Sequence, residues 1–324
     1  MATYLQFAKR HWFLAALAMV LLAGMTSSDR AAEWVSAFPR QLLVAAILFV
    51  TALPVDLRRM ASTRGVIGAI GLAMLLNSVA APVLGYVGSW LLPASLGVGL
   101  FAALASPCTM ASAAVWTRRG GGNDAVALAV TLLTSLACFV TLPMWTWLLL
   151  GEQVDVPAAS LAVTLLKCVA IPVAVAQAIR WLPAIAQRAD GAKPQLSLAG
   201  QIGILGLVLI GAVNAGGELQ NLSQPVGVAG WGSVLIAVLL IHGVLLLAGW
   251  RLALATGLDR PEAVAVAIAG SQKTLAVGVF IAAEFSPLAV LPMIAYHVVQ
   301  LVLDTLFVDK MKGSMPDRAE SSAE

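Results

Sequence analysis

Ten times along this chain an apolar run of about 20 residues, enough to cross a hydrocarbon layer of about 30 Å as a helix, gives way to a short polar stretch. The runs fall at about 12–28, 36–55, 66–91, 94–117, 124–150, 158–180, 197–217, 227–255, 262–283 and 287–308. With 60% hydrophobic and 11% charged residues over 324 positions, a water-soluble domain would expose large apolar surfaces. The pattern therefore predicts an all-α polytopic membrane protein with ten transmembrane helices. The basic N-terminal residues and the run after them imitate a signal peptide, but no small-residue cleavage pattern follows, so this run reads as the first span.

The basic residues test the count. If the N-terminus is cytoplasmic, the inside segments hold Lys9, Arg10, Arg58, Arg59, Arg64, Arg118, Arg119, Arg180, Arg188, Lys193, Arg251, Arg260, Lys310, Lys312 and Arg318. The outside segments hold only Arg30 and Arg40, together with the acids Asp29, Glu33, Glu152, Asp155, Glu218 and Glu284. This alternation is what basic retention on the cytoplasmic side produces for an even number of spans, and it places both termini in the cytoplasm and the protein in the plasma (inner) membrane. A net charge of +3 is too small to suggest nucleic acid. Cys108, Cys138 and Cys168 all lie in apolar runs without metal-binding spacing and read as buried thiols. The polar tail, 311–324, reads as a disordered cytoplasmic segment.

Two of the runs are interrupted by polar, helix-breaking clusters, Ser106-Pro107-Cys108-Thr109 and Ser271-Gln272-Lys273-Thr274, 165 residues apart. The same shift pairs Ala111 with Ala276, Ala102 with Ala267, Leu136 with Leu301 and the mid-span polar residues Asn77 and His242. Five spans per half is an odd number, so the halves, 1–155 and 156–310, would insert upside down relative to each other, a recurring plan of secondary transporters. Proline opens a helix, and unsatisfied backbone groups survive at membrane depth only under cover of protein or in a wet cavity. Half-helices resuming near Cys108 and Gln272 would offer amides to an anion, and freed carbonyls would suit a cation.

Candidate binding residues are therefore Pro107, Cys108, Thr109, Ser112, Ser271, Gln272, Lys273 and Thr274 at the breaks, with Asn77 and His242. Lys273 is the sharpest, because a mid-span lysine costs about 2.5–3.5 kcal/mol to insert and needs a cavity or a partner. The acid nearest in depth is Asp304; the bland alternative is an ammonium held by helix carbonyls. Lys167 is a second in-span lysine whose stem could snorkel outward, and His242 reads either as a packing residue or as a proton carrier. Trp90, Trp145, Trp147 and Trp181 fall near span ends as interfacial anchors. The stretch 118–124 reads as a turn capped by Asn123 or Asp124, or else as an inner gate. Asn221-Leu222-Ser223 matches a glycosylation sequon.

The stretches 106–118, 121–128 and 270–275 resemble the bile acid:sodium symporter family, in its branch similar to sodium/bile acid cotransporter 7. The resemblance implies two inverted five-helix repeats with discontinuous helices 4 and 9 crossing, a panel domain of helices 1, 2, 6 and 7, and a core domain of helices 3, 4, 5, 8, 9 and 10. It also implies sodium bound by a serine and asparagine on helix 4, a polar group on helix 5 and a glutamate and glutamine on helix 9. Carried over, the serine is Ser112 and the glutamine Gln272, while Ala113 and Ala267 stand at the asparagine and glutamate positions and Lys273 joins the polar cluster; Thr134 on helix 5 is a further candidate binding residue. Sodium is thus the sole cofactor expected, with Ser112 and Gln272 as its ligands, and a fixed ammonium could replace one ion. The reading is a secondary transporter of an organic, anionic solute by alternating access, coupled to sodium or protons, with membrane lipid as its other partner. A sensor that binds a solute without moving it is the alternative. The chain has no HExxH, no GxSxG and no mid-span aspartate pair, which argues against an intramembrane enzyme.

Overall fold

The computed structural model describes residues 2–56, 64–110, 112–151, 154–222 and 226–313, without the side chains of 2–11, 28–30, 36, 64–65 and 312–313. Arg58, Arg59, Glu152, Ser223 of the sequon, Arg318 and the tail from 314 onward lie outside the described residues. So do the side chains of Lys9, Arg10, Asp29, Arg30, Arg64 and Lys312.

Among the described residues every regular element is helical. Helix α1 (Ala2–Thr26) and the short α2 (Ser28–Ser36) precede α3 (Arg40–Ala52); α4 (Arg64–Leu75) passes through a wide turn, Leu76–Ala80, into α5 (Ala81–Ser89). Helices α6 (Ala94–Ala105) and α7 (Ala113–Arg119) are separated by the first break, and α8 (Asp124–Trp145) continues through Thr146–Leu150. Helix α9 (Ala158–Leu165) joins α10 (Ile171–Ile179) through Leu166–Ala170, and a short α11 (Pro183–Gly191) leads to α12 (Lys193–Asn221) and α13 (Val228–Ala255). Helices α14 (Arg260–Ser271) and α15 (Leu275–Phe285) flank the second break, and a 3-10 turn, Pro287–Ala289, opens α16 (Val290–Gly313). Seven helical stretches among the described residues are long and apolar enough to cross a membrane, and Trp12–Thr26, Arg40–Ala52 and Ala94–Ala105 are shorter apolar helices.

Prolines explain two of the wide turns. At Leu76–Ala80 the Ala81 N–H reaches back five residues to Leu76 O, and Pro82 has no N–H to offer. The carbonyls of Asn77 and Ser78 are thereby left without helical donors. Ile171 and Pro172 repeat the arrangement at Leu166–Ala170. Trp145 donates its indole N–H to Ser78 O at 2.7 Å. This corrects its reading as an interfacial anchor: its polar edge serves a carbonyl that Pro82 orphaned. Trp90, Trp147 and Trp181 are exposed, and the three cysteines are free and buried.

One group of helices forms around α12, which lies along α1 and also meets α2 and α3, with α10 packed on α3. The other forms around α14, which is flanked by α4, α8 and α13, while α6 packs against α5, α15 and α16. Within the Arg260–Phe285 stretch every residue from 263 to 282 is buried. Close approach needs glycine at Gly99, where a Cβ would come within 3 Å of the Ala289 backbone. In the 118–124 turn Asn123 is the cap, accepting from Ala125 N at 3.1 Å while its own amide reaches Glu262 at 3.1 Å.

The C-terminal carbonyls of α3 are capped from α10: Gln177 donates to Ala52 O at 2.7 Å and Arg180 to Leu53 O at 3.1 Å. Arg180 also donates to Asp190 at 2.8 Å, and this bond, with help from Lys193, holds the Asp190 carboxyl below its ordinary value. A lowered carboxyl contributes stability above its unfolded-state value and loses it as pH falls through the folded-state value. Asp190→Asn is expected to lower thermal stability at neutral pH and to leave it little changed at acid pH, so that the acid limb flattens, measured by unfolding in detergent across pH.

Candidate functional site

The two breaks meet inside the protein. Thr274 N–H donates to Pro107 O at 2.9 Å, and Ser112 Oγ donates to Gln272 Oε1 at 3.0 Å. Helix resumes at Ala113 and Leu275, not near Cys108 and Gln272 as the sequence suggested. The reason is visible in the intervening amides, which are spoken for: Cys108 N–H donates to Thr134 Oγ1 at 3.1 Å and Lys273 N–H to Gln300 Oε1 at 2.9 Å. Gln300 returns its own amide to Lys273 O at 3.1 Å, pairing both backbone groups of one residue as a neighbouring strand would.

The carbonyls that end α14 are satisfied in the same way. Asn77 Nδ2 donates to Ala269 O at 3.0 Å and Gln272 O at 2.9 Å, and Tyr296 OH donates to Ser271 O at 2.9 Å. Buried backbone groups away from regular structure need such partners, and here side chains from α16, α8 and the turn before α5 provide them. Ser271 Oγ turns back to Ala267 O at 2.8 Å and so does not face the other break. Thr131 Oγ1 lies 3.3 Å from Thr109 O.

Lys273 is fully buried, and its three ammonium protons meet three oxygens: Asn77 O at 2.6 Å, Asn77 Oδ1 at 3.1 Å and Ser106 O at 2.9 Å. Asn77 O was orphaned by Pro82 and Ser106 O by the end of α6. Asp304 is not the partner of Lys273. Its carboxylate accepts from Gln272 Nε2 at 2.5 Å and faces His242 Nε2 at 3.0 Å, both partners being completely buried.

The bonding fixes one proton. Tyr296 spends its only hydroxyl hydrogen on Ser271 O, so His242 Nδ1, 3.2 Å from Tyr296 OH, must be the donor there. The remaining contact, between Nε2 and Asp304 Oδ1, then needs a hydrogen of its own. His242 and Asp304 therefore hold two protons, one on Nδ1 and one shared between Nε2 and Oδ1, and are neutral in sum, which leaves Lys273 as the net charge at the meeting point. Cys108 is within electrostatic reach of both Lys273 and Asp304.

Of the residues read from the sequence, Asn77, Pro107, Cys108, Ser112, Thr134, His242, Gln272, Lys273 and Thr274 are joined in this network, with Thr109 and Ser271 beside it. Lys167 is exposed in the Leu166–Ala170 turn and takes no part in the network. Tyr296 and Gln300 were not foreseen, although with Asp304 they recur every four residues, the signature of one polar face on a helix. Beside the first break a cavity of about 260 Å³ is lined by Thr51 and Val55 near the end of α3, Met110, Arg118 of α7, and Lys193 and Ser197 of α12.

A family model described as the SBF-like CPA transporter family (DUF4137) matches residues 11–313. The chain belongs to the SBF-like CPA transporter family. Among its relatives, "Probable sodium/metabolite cotransporter BASS4, chloroplastic" of Arabidopsis thaliana is 27% identical over 228 residues, covering 66% of this chain and 51% of the relative. "Uncharacterized sodium-dependent transporter YocS" of Bacillus subtilis is 28% identical over 209 residues, covering 64% of this chain and 61% of the relative. "Sodium/bile acid cotransporter 7" of Xenopus tropicalis is 24% identical over 248 residues, covering 72% and 68%. The chain thus spans between half and three fifths of the length of the first two relatives. These are names of transporters and not of enzymes. Together with the seven long apolar helical stretches, membership of the family makes this chain an integral, multi-pass membrane protein.

Proposed function

We propose that this member of the SBF-like CPA transporter family is a secondary active transporter that moves an organic anion by alternating access, coupled to sodium or protons. In this reading residues 1–155 and 156–310 are inverted five-helix repeats, helices 4 and 9 are the discontinuous crossing pair, and the six-helix core moves against the four-helix panel. The plasma (inner) membrane, with both termini cytoplasmic, is the setting that the basic residues support. Thr274 N–H on Pro107 O is the observation that carries the reading, because irregular backbone is kept at membrane depth where a transported species is handled. An anion is favoured by the Lys273 charge, which no described carboxylate pairs; Arg118 and Lys193 on the wall of the cavity beside the break are cationic but already paired with Asp124 and Asp190. The relatives' names favour sodium as the coupling ion, and Ser112 Oγ, Gln272 Oε1 and Asp304 are the oxygens at hand for it.

The test is counterflow of labelled organic anions in proteoliposomes under imposed sodium or proton gradients. A transporter accelerates exchange, and a sensor that binds without moving its ligand does not. Gln272→Leu, which cuts the link between Ser112 and Asp304 at similar volume, is expected to slow exchange on the order of tenfold or more, as follows from a buried bond worth about 1–3 kcal/mol. Unchanged exchange in that variant would remove Gln272 from the mechanism.

A further inference from the structure

We infer that Asn77 O, Asn77 Oδ1 and Ser106 O form a monovalent-cation site that this chain fills with its own Lys273 ammonium, so that removing the ammonium opens the site to a free cation of that class. Three observations lead there. The first is the donor set: three neutral carbonyl-type oxygens, with no carboxylate, converge on one point at 2.6–3.1 Å. Such a set balances a single positive charge and replaces its hydration shell, as rings of backbone carbonyls do for monovalent ions.

The second is where the oxygens come from. Two of them are backbone carbonyls released by irregularities at different places, the Pro82-induced turn and the break after Ala105, and they would stay unsatisfied without a cation. The third is burial. Asn77 is 1%, Ser106 1% and Lys273 0% exposed, so water does not compete for the oxygens. Among the described residues no carboxylate bonds the ammonium, and Asp304 is committed to Gln272 and His242. The lysine therefore acts as the occupant of an oxygen cage and not as half of an ion pair.

The inference deepens the transport reading by assigning one cation position at the crossing to the polypeptide itself, yet its test needs no solute. Purified protein in detergent is unfolded thermally in sodium, potassium, n-propylammonium or choline chloride at matched ionic strength; n-propylammonium restores the atoms that Lys273→Ala removes. The wild type is expected to show the same midpoint in potassium, n-propylammonium and choline, and any rise in sodium, which the Ser112, Gln272 and Asp304 oxygens of the transport reading would bring, is the baseline subtracted from the variants. Lys273→Ala is expected to melt lower in choline by on the order of 5–10 °C, and to recover saturably in n-propylammonium or in one of the two metal ions. Lys273→Met, whose stem blocks the cavity without an ammonium, is expected to melt low in every salt.

If Lys273→Ala survives extraction poorly, the yield of monodisperse protein from membranes solubilised in n-propylammonium, sodium or potassium against choline gives the same reading. A midpoint or yield that ignores the cation in Lys273→Ala overturns the inference, as does a Lys273→Met protein as stable as the wild type. A missing solute flux in proteoliposomes would count against the transport reading and leave this result untouched.

Discussion

Replacing Asp304 by alanine is expected to cost the fold about 3–5 kcal/mol, whereas asparagine at the same position should cost about 1 kcal/mol or less. The difference follows from the proton count. Asp304 is fully buried and holds two partners, Gln272 Nε2 and His242 Nε2, of which the second shares a proton with it. Alanine strands the Gln272 amide and the histidine ring together in a space that water does not reach. Asparagine can offer its oxygen to Gln272 and its amide to a neutral His242 Nε2, while Nδ1–H stays on Tyr296. The check is thermal or denaturant unfolding of both variants in detergent, alongside their yield. Equal damage from the two substitutions would show that the pair depends on a full carboxylate and that the single shared proton is wrongly assigned.

Much of this architecture is written plainly in the sequence, and what is hidden is hidden for identifiable reasons. Apolar runs locate helices because lipid penalises every unsatisfied amide, and Pro107 and the Ser271–Thr274 cluster mark the breaks because they cannot continue a helix in hydrocarbon. Depth along a helix can be counted from sequence, but the direction in which a residue faces cannot. Asp304 is near Lys273 in depth, yet the ammonium turns to Asn77 and Ser106 while the carboxylate turns to Gln272 and His242. Backbone oxygens are a second blind spot. Two of the three cage oxygens are carbonyls, invisible as residue types, and the clue to one of them is Pro82, five residues beyond Asn77. Tyr296 and Gln300 were legible as a polar stripe with Asp304, but only the meeting of the breaks gives that stripe orphaned groups to serve.

Asn77 is where these threads join, and Asn77→Leu, which keeps the branching and the number of side-chain heavy atoms, is expected to lose about 3 kcal/mol or more. One carboxamide receives Lys273 Nζ at Oδ1 and gives its two hydrogens to Ala269 O and Gln272 O, so three buried groups lose a partner at once. Each is worth about 1–3 kcal/mol when stranded, with relaxation returning part of the sum. Asn77→Asp separates the two halves of the task. It keeps an acceptor for Lys273 but has no hydrogens for the α14 carbonyls, and at this depth its carboxylate and the ammonium form a pair that also draws Lys273 away from Ser106 O. A double-mutant cycle with Lys273→Met then measures how far lysine and asparagine act as one unit. Independent contributions would make the Asn77→Leu and Lys273→Met losses add, whereas a shared oxygen cage makes the double variant less damaged than their sum by about 0.5–3 kcal/mol. Strict additivity would mean that Asn77 matters only as a clamp on the α14 carbonyls, and the ammonium would then rest on backbone oxygens alone.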